Sequence, residues 1–405
     1  MNLSYFISKR INSSEKRSFS AIIYKIAVAS IALGIAIMII AFLILSGFQE
    51  TIVDKIYGFG SHLQVTKYTL GSSFEDEPIN QYTEFYKRYD EIGFVEHVQS
   101  FAHKAALIKT REEVEGVVIK GVSSNFDQEN FSNYLKRGRF INFSDSGYSK
   151  EIVVSEFMAN RLRLELGEEV FAYFIQNPPR IRKLEVVGIY ESGLEDFDQK
   201  LLFSDIGLIQ RLNNWGDTLV GGYEVFLKKP LNVDYAHEEL YRYIDYDLYI
   251  QKISNIYIQI FDWLGLLERN VYIFLGLILF VACFNMISIL LILIMERTQM
   301  IGVLKALGAT NQQVRKVFLY NGMLIVSKGM AIGNGIGLGI CALQYFFEII
   351  PLDQQTYYME YVPIQWNVVA IVLINIFSFI LVTAALLIPT LLIARVNPIK
   401  AIRFD

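Results

Sequence analysis

Apolar residues in this chain gather into four uncharged runs, 26–48, 271–295, 329–347 and 368–394. Each is close to the roughly 20 residues that a helix needs to cross about 30 Å of hydrocarbon. A single run of this kind suits the core helix of a globular protein, but four predict membrane spans. Before the first run, Leu3, Phe6, Ile7 and Ile11 recur at helical spacing around Lys9 and Arg10. That pattern predicts a short amphipathic helix lying in the membrane interface.

Between the first and second runs the pattern changes to short β-branched stretches alternating with helical ones. Strands are predicted at 62–68, 115–122, 151–155, 170–175, 183–190, 200–203 and 223–227. Helices are predicted at 81–88, 156–164 (stopped by Gly167), 205–212 and 234–243. From Ile253 the pattern turns helical and aromatic, through Ile256, Ile260, Trp263, Leu264 and Leu267, and meets no breaker before the second span. One unbroken helix over about 254–298 is therefore expected. It exceeds what the bilayer needs, so its surplus forms a stalk.

The fold class that follows is an α-helical membrane protein with four transmembrane helices. A large α/β (α+β) extracytoplasmic domain is inserted between the first and second. The expected division is an N-terminal amphipathic segment 1–25, span 26–48, an outer domain 49–253 with two subdomains, and a stalk with the second span 254–298. An inner loop 299–322, span 323–350, a short outer loop 351–365, span 366–394 and a tail 395–405 complete it.

Charge supplies the orientation. Residues 1–25 carry Lys9, Arg10, Lys16, Arg17 and Lys25 against Glu15, and the inner loop carries Arg297, Lys305, Arg315 and Lys316 against Glu296. The tail carries Arg395, Lys400 and Arg403, whereas the loop after the third run has Glu348, Asp353 and Glu360 and no basic residue. The positive-inside rule puts both termini in the cytoplasm and 49–270 outside. The first run reads as a retained anchor, not a cleaved signal. Cys283 and Cys341 both fall inside apolar runs, so no disulfide framework is expected in the outer domain. His62, His97, His103 and His237 lack metal-ligand spacing, and no metal is expected.

Within the spans, Gly329, Gly333 and Gly337 lie four apart, as do Gly335 and Gly339. Small residues at that spacing let helices approach closely in lipid. Ser30 and Gly34 form a similar pair in the first span. Asn285 is a polar group in hydrocarbon and needs a hydrogen-bond partner, which a neighbouring helix would supply.

The inner loop reads E-R-T-Q-M-I-G-V-L-K-A-L-G-A-T-N-Q-Q-V-R-K-V-F-L-Y-N-G from Glu296 to Gly322. It predicts a helix with Ile301, Leu304 and Leu307 on one face, ended by Gly308 at C′. Thr310 then caps a second helix, with Gln313 in the capping-box position. A short amphipathic helix with small residues at its tip is shaped to enter a groove of another protein.

The run I-G-V-L-K-A-L-G-A-T, then V-R-K-V-F and a glycine-rich span, resembles the signature of the FtsX-like permeases of ABC transporters. Y-F-I-S-K-R, F-L-I-L-S-G-F-Q-E, F-N-M-I-S-I-L, A-L-L-I-P-T-L-L-I-A-R and the ending N-P-I-K-A-I-R-F-D are similar to the lipoprotein-releasing branch. The resemblance implies a permease that extracts lipoproteins from the outer leaflet of the inner membrane. It implies a separate cytoplasmic ABC ATPase dimer, which holds the ATP and magnesium; this chain is expected to bind no cofactor and to catalyse nothing. No G-x-x-x-x-G-K-[ST] phosphate loop occurs in it.

The ATPase would be met by Ile301, Leu304, Lys305, Ala306, Leu307, Gly308, Ala309 and Thr310. A second permease, identical or paralogous, would complete a cavity between the first and second spans. Leu43, Phe48, Trp263 and Leu267, large apolar groups near the outer interface, are expected to touch acyl chains there. A periplasmic carrier chaperone is a further implied partner, and nucleic acid is not. Two departures stand out: Met300 replaces the family's glutamate, and 175–183 is short where the carrier-docking permease has a long hairpin. Two other functions share the topology. One is a MacB-like mechanotransmission exporter of peptides or toxins. The other is a signalling scaffold for a cell-wall hydrolase, against which the size of the outer domain counts.

Overall fold

A computed structural model describes residues 19–68, 76–110, 113–144, 147–228, 232–353 and 357–395. The interfacial helix expected around Leu3 and Ile11 and the tail motif at 397–405 lie outside the described residues. The chain divides into a helical unit (Met1–Glu50, Trp263–Pro351 and Tyr361–Asp405) and a polar unit (Thr51–Asp262 and Leu352–Glu360).

The helical unit rests on α1 (Phe19–Gly60), α2 (Ile258–Glu296), α3 (Thr298–Ala306), α4 (Asn311–Phe347) and α5 (Val368–Ala385). Among the described residues four helices are long and apolar enough to cross a membrane. At 1.5 Å per residue, the 39 residues of α2 extend about 58 Å, well beyond the hydrocarbon thickness. The expected unbroken helix from 254 is not found. A separate turn, Ile253–Ile256, ends at Tyr257, whose ψ of 42° leaves the helical region before α2 begins. Tyr257 packs its ring on Phe197, 4.7 Å between centroids. A tertiary contact thus breaks a helix that contains neither glycine nor proline at that point. At the far end, α5 stops at Ala385, shortly before Pro389, which has no N–H to continue the ladder.

Glycines decide how α4 meets α1. A Cβ built on Gly329 would stand 2.7 Å from Ile31 Cβ, and one on Gly333 would stand 2.5 Å from the Ala32 carbonyl oxygen. One on Gly337 would come within 3.1 Å of Ala36 Cα, whereas Gly335 and Gly339 face nothing within 4 Å. Of the two glycine rows, only the first is a packing surface in the chain. Ser30 of α1 accepts a hydrogen bond from Asn285 Nδ2 of α2 at 2.9 Å, which supplies the partner that Asn285 requires. The core between these helices contains Ile31, Ile35, Ile39, Met286, Leu290 and Ile325.

The polar unit is built on strands β1 (Leu63–Lys67), β2 (Ile79–Asn80), β3 (Val95–Lys109), β4 (Val114–Val122), β5 (Leu135–Gly138), β6 (Glu151–Ser155), β7 (Glu169–Phe174), β8 (Arg180–Tyr190), β9 (Leu201–Asp205), β10 (Leu219–Val220), β11 (Gly222–Leu227) and β12 (Leu248–Lys252). One sheet runs β12-β1-β11-β3-β4-β9-β6-β8-β5, with β7 pairing β3 and β8, and β10 pairs β2 separately. It serves two apolar cores. One contains Ile108, Ile119, Val154, Phe174 and Leu184; the other contains Leu63, Val98, Tyr223, Val225 and Ile250.

The helix 156–164 proves shorter than expected. It ends at Leu162, capped by Arg163 in the left-handed region at φ 55°, and Gly167 (φ 80°) serves the following turn instead. The 15-residue β3 has no counterpart among the expected strands. It passes through the middle of the sheet with Gln99, Ser100 and Lys104 buried beside Val98, Phe101 and Ala102. A strand covered on both faces shows no period-two alternation to read.

A third cluster is aromatic. Phe59, buried near the end of α1, lies 4.9 to 5.8 Å by ring centroids from Phe131, Tyr134, Tyr190, Phe197 and Phe203. Removing it leaves a cavity that these rings cannot fill by rotating. Phe59→Ala is expected to cost about 3–5 kcal/mol of stability in the polar unit. Faster hydrogen exchange along β9 in the solubilised chain checks this, and unchanged protection there contradicts it.

Candidate functional site

The corner between α3 and α4 is built from local signals that satisfy one another. Gly308 (φ 91°) lets its N–H reach the Lys305 carbonyl at 3.0 Å and lets the Ala309 N–H reach that of Leu304 at 2.9 Å. These two bonds form a Schellman ending. Two residues later the Thr310 hydroxyl accepts the Gln313 N–H at 3.3 Å, and Gln313 Oε1 accepts the Thr310 N–H at 2.8 Å. This capping box starts α4 at once.

Two cations fix the corner to the end of the last span. Lys305 Nζ donates to the Ile393 carbonyl at 2.7 Å and Arg315 Nε to that of Thr390 at 3.2 Å. Carbonyls at a helix C-terminus lack intrahelical donors and carry partial negative charge, so cations suit them.

The corner's exposed face differs from the one expected. Ile301 is fully buried, and Leu304 and Met300 pack against the helical core. Leu307 is 80% exposed, with Val303, Ala306, Gly308 and Thr310 also exposed and Ala309 half-buried. The reason is geometric. Each three-residue step falls about 60° short of a full turn, so Leu307 points roughly 120° away from Ile301. The outward apex is therefore 303 and 306–308. Val303 was not among the expected contacts, and Ile301 cannot be one in this conformation. Met300, in the position of the family's glutamate, is a packing residue.

The four residues expected to touch acyl chains also separate. Leu43 is fully buried among the helices, and its carbonyl accepts the Gln365 N–H at 3.3 Å. It is core. Phe48, Trp263 and Leu267 are half-buried, and beside them Gln49 Nε2 donates to Glu268 Oε2 at 3.2 Å. What α2 presents outward is a row of Ile273, Leu277, Phe280 and Phe284 at three- and four-residue steps, with Leu266 two turns before it, all more than half exposed. Leu266 apart, the row lies within one apolar run, where periodicity cannot separate an outward face from a buried one.

One polar pair inside the spans was not legible. Asn334 Nδ2 donates to Asn375 Oδ1 at 2.7 Å and Asn375 Nδ2 to Asn334 Oδ1 at 2.9 Å. This reciprocal pair joins α4 to α5. Both amides stand in uncharged runs, which was the available signal. Among the described residues no group of His, Cys, Asp or Glu is placed to hold a metal ion.

Residues 26–242 match the family model for the MacB-like periplasmic core domain, and residues 272–398 match that for the FtsX-like permease C-terminal region. The chain is 23% identical over 425 residues to the lipoprotein-releasing system transmembrane protein LolE of Haemophilus influenzae, covering 99% of each. It is 23% identical over 426 residues to the lipoprotein-releasing system transmembrane protein LolC of Neisseria meningitidis serogroup B, covering 100% of each. The solved periplasmic region of MacB from Actinobacillus actinomycetemcomitans overlays 52% of this chain and 97% of its own, at 15% identity and a TM-score of 0.35. The long apolar helices, the α/β domain inserted between the first two of them, and these matches along the whole chain agree: it belongs to the FtsX-like ABC transporter permeases with a MacB-like periplasmic core, the family of the lipoprotein-releasing transmembrane proteins.

Proposed function

We propose that this chain is a permease subunit that extracts lipoproteins from the outer leaflet of the inner membrane, driven by a separate cytoplasmic ATPase dimer. The observation that carries the reading is similarity over essentially its whole length to two lipoprotein-releasing transmembrane proteins. Lifting acyl chains from a bilayer costs about 0.8 kcal/mol per CH₂, so release needs an apolar receptacle and a power stroke. The outward row on α2 offers apolar surface for such a receptacle. A second permease, identical or paralogous, closes it. The apex at Val303, Ala306, Leu307 and Gly308 receives the stroke, and ATP and magnesium stay on the ATPase. Reconstitution tests this: proteoliposomes holding the chain, its partner permease and the ATPase should release a triacylated lipoprotein upon ATP hydrolysis. Hydrolysis with no release counts against it.

In this reading the termini and the α3–α4 corner are cytoplasmic and the polar unit is periplasmic. Asp217→Cys should label with an impermeant thiol reagent in intact spheroplasts, and Asn311→Cys only after lysis. The reverse pattern would invert the orientation.

One observation favours a second reading. The match of 26–242 to a MacB-like core suits an exporter that passes mechanical movement to a periplasmic partner. Such an exporter would move soluble peptides and leave lipoprotein sorting intact.

A further inference from the structure

The polar unit contains a cleft of about 430 Å³, within the ~300–1,000 Å³ usual for ligand pockets. Its lining takes in Gly60, where α1 ends, and Tyr257 and Gln259, on either side of the point where α2 begins. On its lining stand Lys120 of β4 and Glu224 of β11, paired at 2.6 Å with side chains 3% and 1% exposed. Glu224 also accepts from Gln99 Nε2 at 2.8 Å and from Gln64 Nε2 at 3.5 Å. A buried pair of this kind adds little net stability, because desolvating each ion costs several kcal/mol. The ammonium carries three donors and Glu224 takes one.

Elsewhere in the lining, Asp76 Oδ2 accepts the His103 N–H at 2.7 Å and lies 3.2 Å from His103 Nδ1. Lys200 Nζ lies 3.4 Å from Asp196 Oδ1. Carboxylates and cations nearly balance across the lining, so the cleft favours neither a phosphate nor a polycation. The amides of Gln64 and Gln259 each offer a donor and an acceptor. A neutral ligand with alternating donors and acceptors fits such walls, and the main chain of a polypeptide carries one of each per residue. A sugar would need an open aromatic face, but of the rings in the lining Phe197 and Tyr257 pack on each other and His103 packs on Phe101.

We propose that this cleft binds a short extended stretch of polypeptide, and that an occupant bears on Tyr257 and Gln259, where α2 begins. The proposal rests on the transport reading only for the source of that stretch, the polypeptide of the transported lipoprotein. Burial, which raises the Tyr257 hydroxyl pKa far above the usual tyrosine range, agrees with a tightly held residue at this point.

The test places p-benzoylphenylalanine at Gln259, which is exposed in the lining, or at Asn255, exposed and outside it. The full chain with its ATPase in proteoliposomes is irradiated with a triacylated lipoprotein, or with the same polypeptide lacking acyl chains. At position 259 the adduct should map to polypeptide residues with both probes, at least tenfold above position 255. Lys120→Met combined with Glu224→Leu should abolish it. If that pair of changes prevents folding, Gln64→Ala should still lower the yield severalfold. Equal yields at the two positions, adducts on acyl chains alone, or none at all overturn the proposal. Lipoprotein release without a polypeptide adduct would remove the cleft site and leave the transport reading standing. An adduct from the unacylated polypeptide in a preparation that releases no lipoprotein would do the opposite.

Discussion

Gly333→Leu is expected to unseat α4 from α1 at a cost of about 3 kcal/mol, at the upper end of overpacking penalties in well-packed interiors. The added Cβ would meet the Ala32 carbonyl oxygen at 2.5 Å and Ile35 Cβ at 2.9 Å. A backbone oxygen cannot move aside as a flexible side chain can. The two helices would have to part along the whole glycine row, loosening Gly329 against Ile31 and Gly337 against Ala36. Gly335→Leu and Gly339→Leu are the controls, since nothing lies within 4 Å of either Cβ position. Thermal unfolding in detergent should show a large loss for the first variant and little change for the other two. Equal losses in all three would mean that the observed row is not the packing surface.

Leu307→Glu is expected to weaken ATPase binding by about 30-fold or more, the effect of losing an interface anchor worth about 2 kcal/mol. Leu307 is 80% exposed, inside the Schellman turn that precedes the capping box. With the apex seated in an apolar groove of the ATPase, as proposed, a charge there would meet water in the isolated permease and that groove in the complex. The permease should therefore keep its own unfolding midpoint while losing copurification and stimulation of the ATPase. Leu304→Glu is the informative contrast. Leu304 packs against the helical core, so that variant should lose stability and binding together. Full ATPase binding by the Leu307 variant would place the contact elsewhere.

These two sites show which features the sequence could disclose. The spans were legible because 20 uncharged residues in a row have few alternatives to crossing a membrane. The corner at 308–313 was legible because Gly308, Thr310 and Gln313 act on neighbours within four residues. Gly329, Gly333 and Gly337 were legible as a spacing. That Gly335 and Gly339 face open space was not, since it depends on where α1 lies. Ile301, Leu304 and Leu307 recur every three residues, but the roughly 60° lag of each step turns Leu307 away from the buried Ile301. Leu43 looked like a substrate contact because depth in the membrane can be estimated from sequence, whereas facing cannot. β3, the break at Tyr257 and the Asn334–Asn375 pair depend on partners far away in the chain: β7 and β11, Phe197, and a residue 41 positions off.

The central claim is that this permease serves lipoproteins, and controlled depletion in its own cells tests that most directly. After depletion, inner and outer membranes are separated and a triacylated lipoprotein bound for the outer membrane is located, while the export of soluble peptides is followed in the medium. The account predicts that the lipoprotein accumulates in the inner membrane and that peptide export continues. Correctly sorted lipoproteins together with blocked peptide export would contradict it.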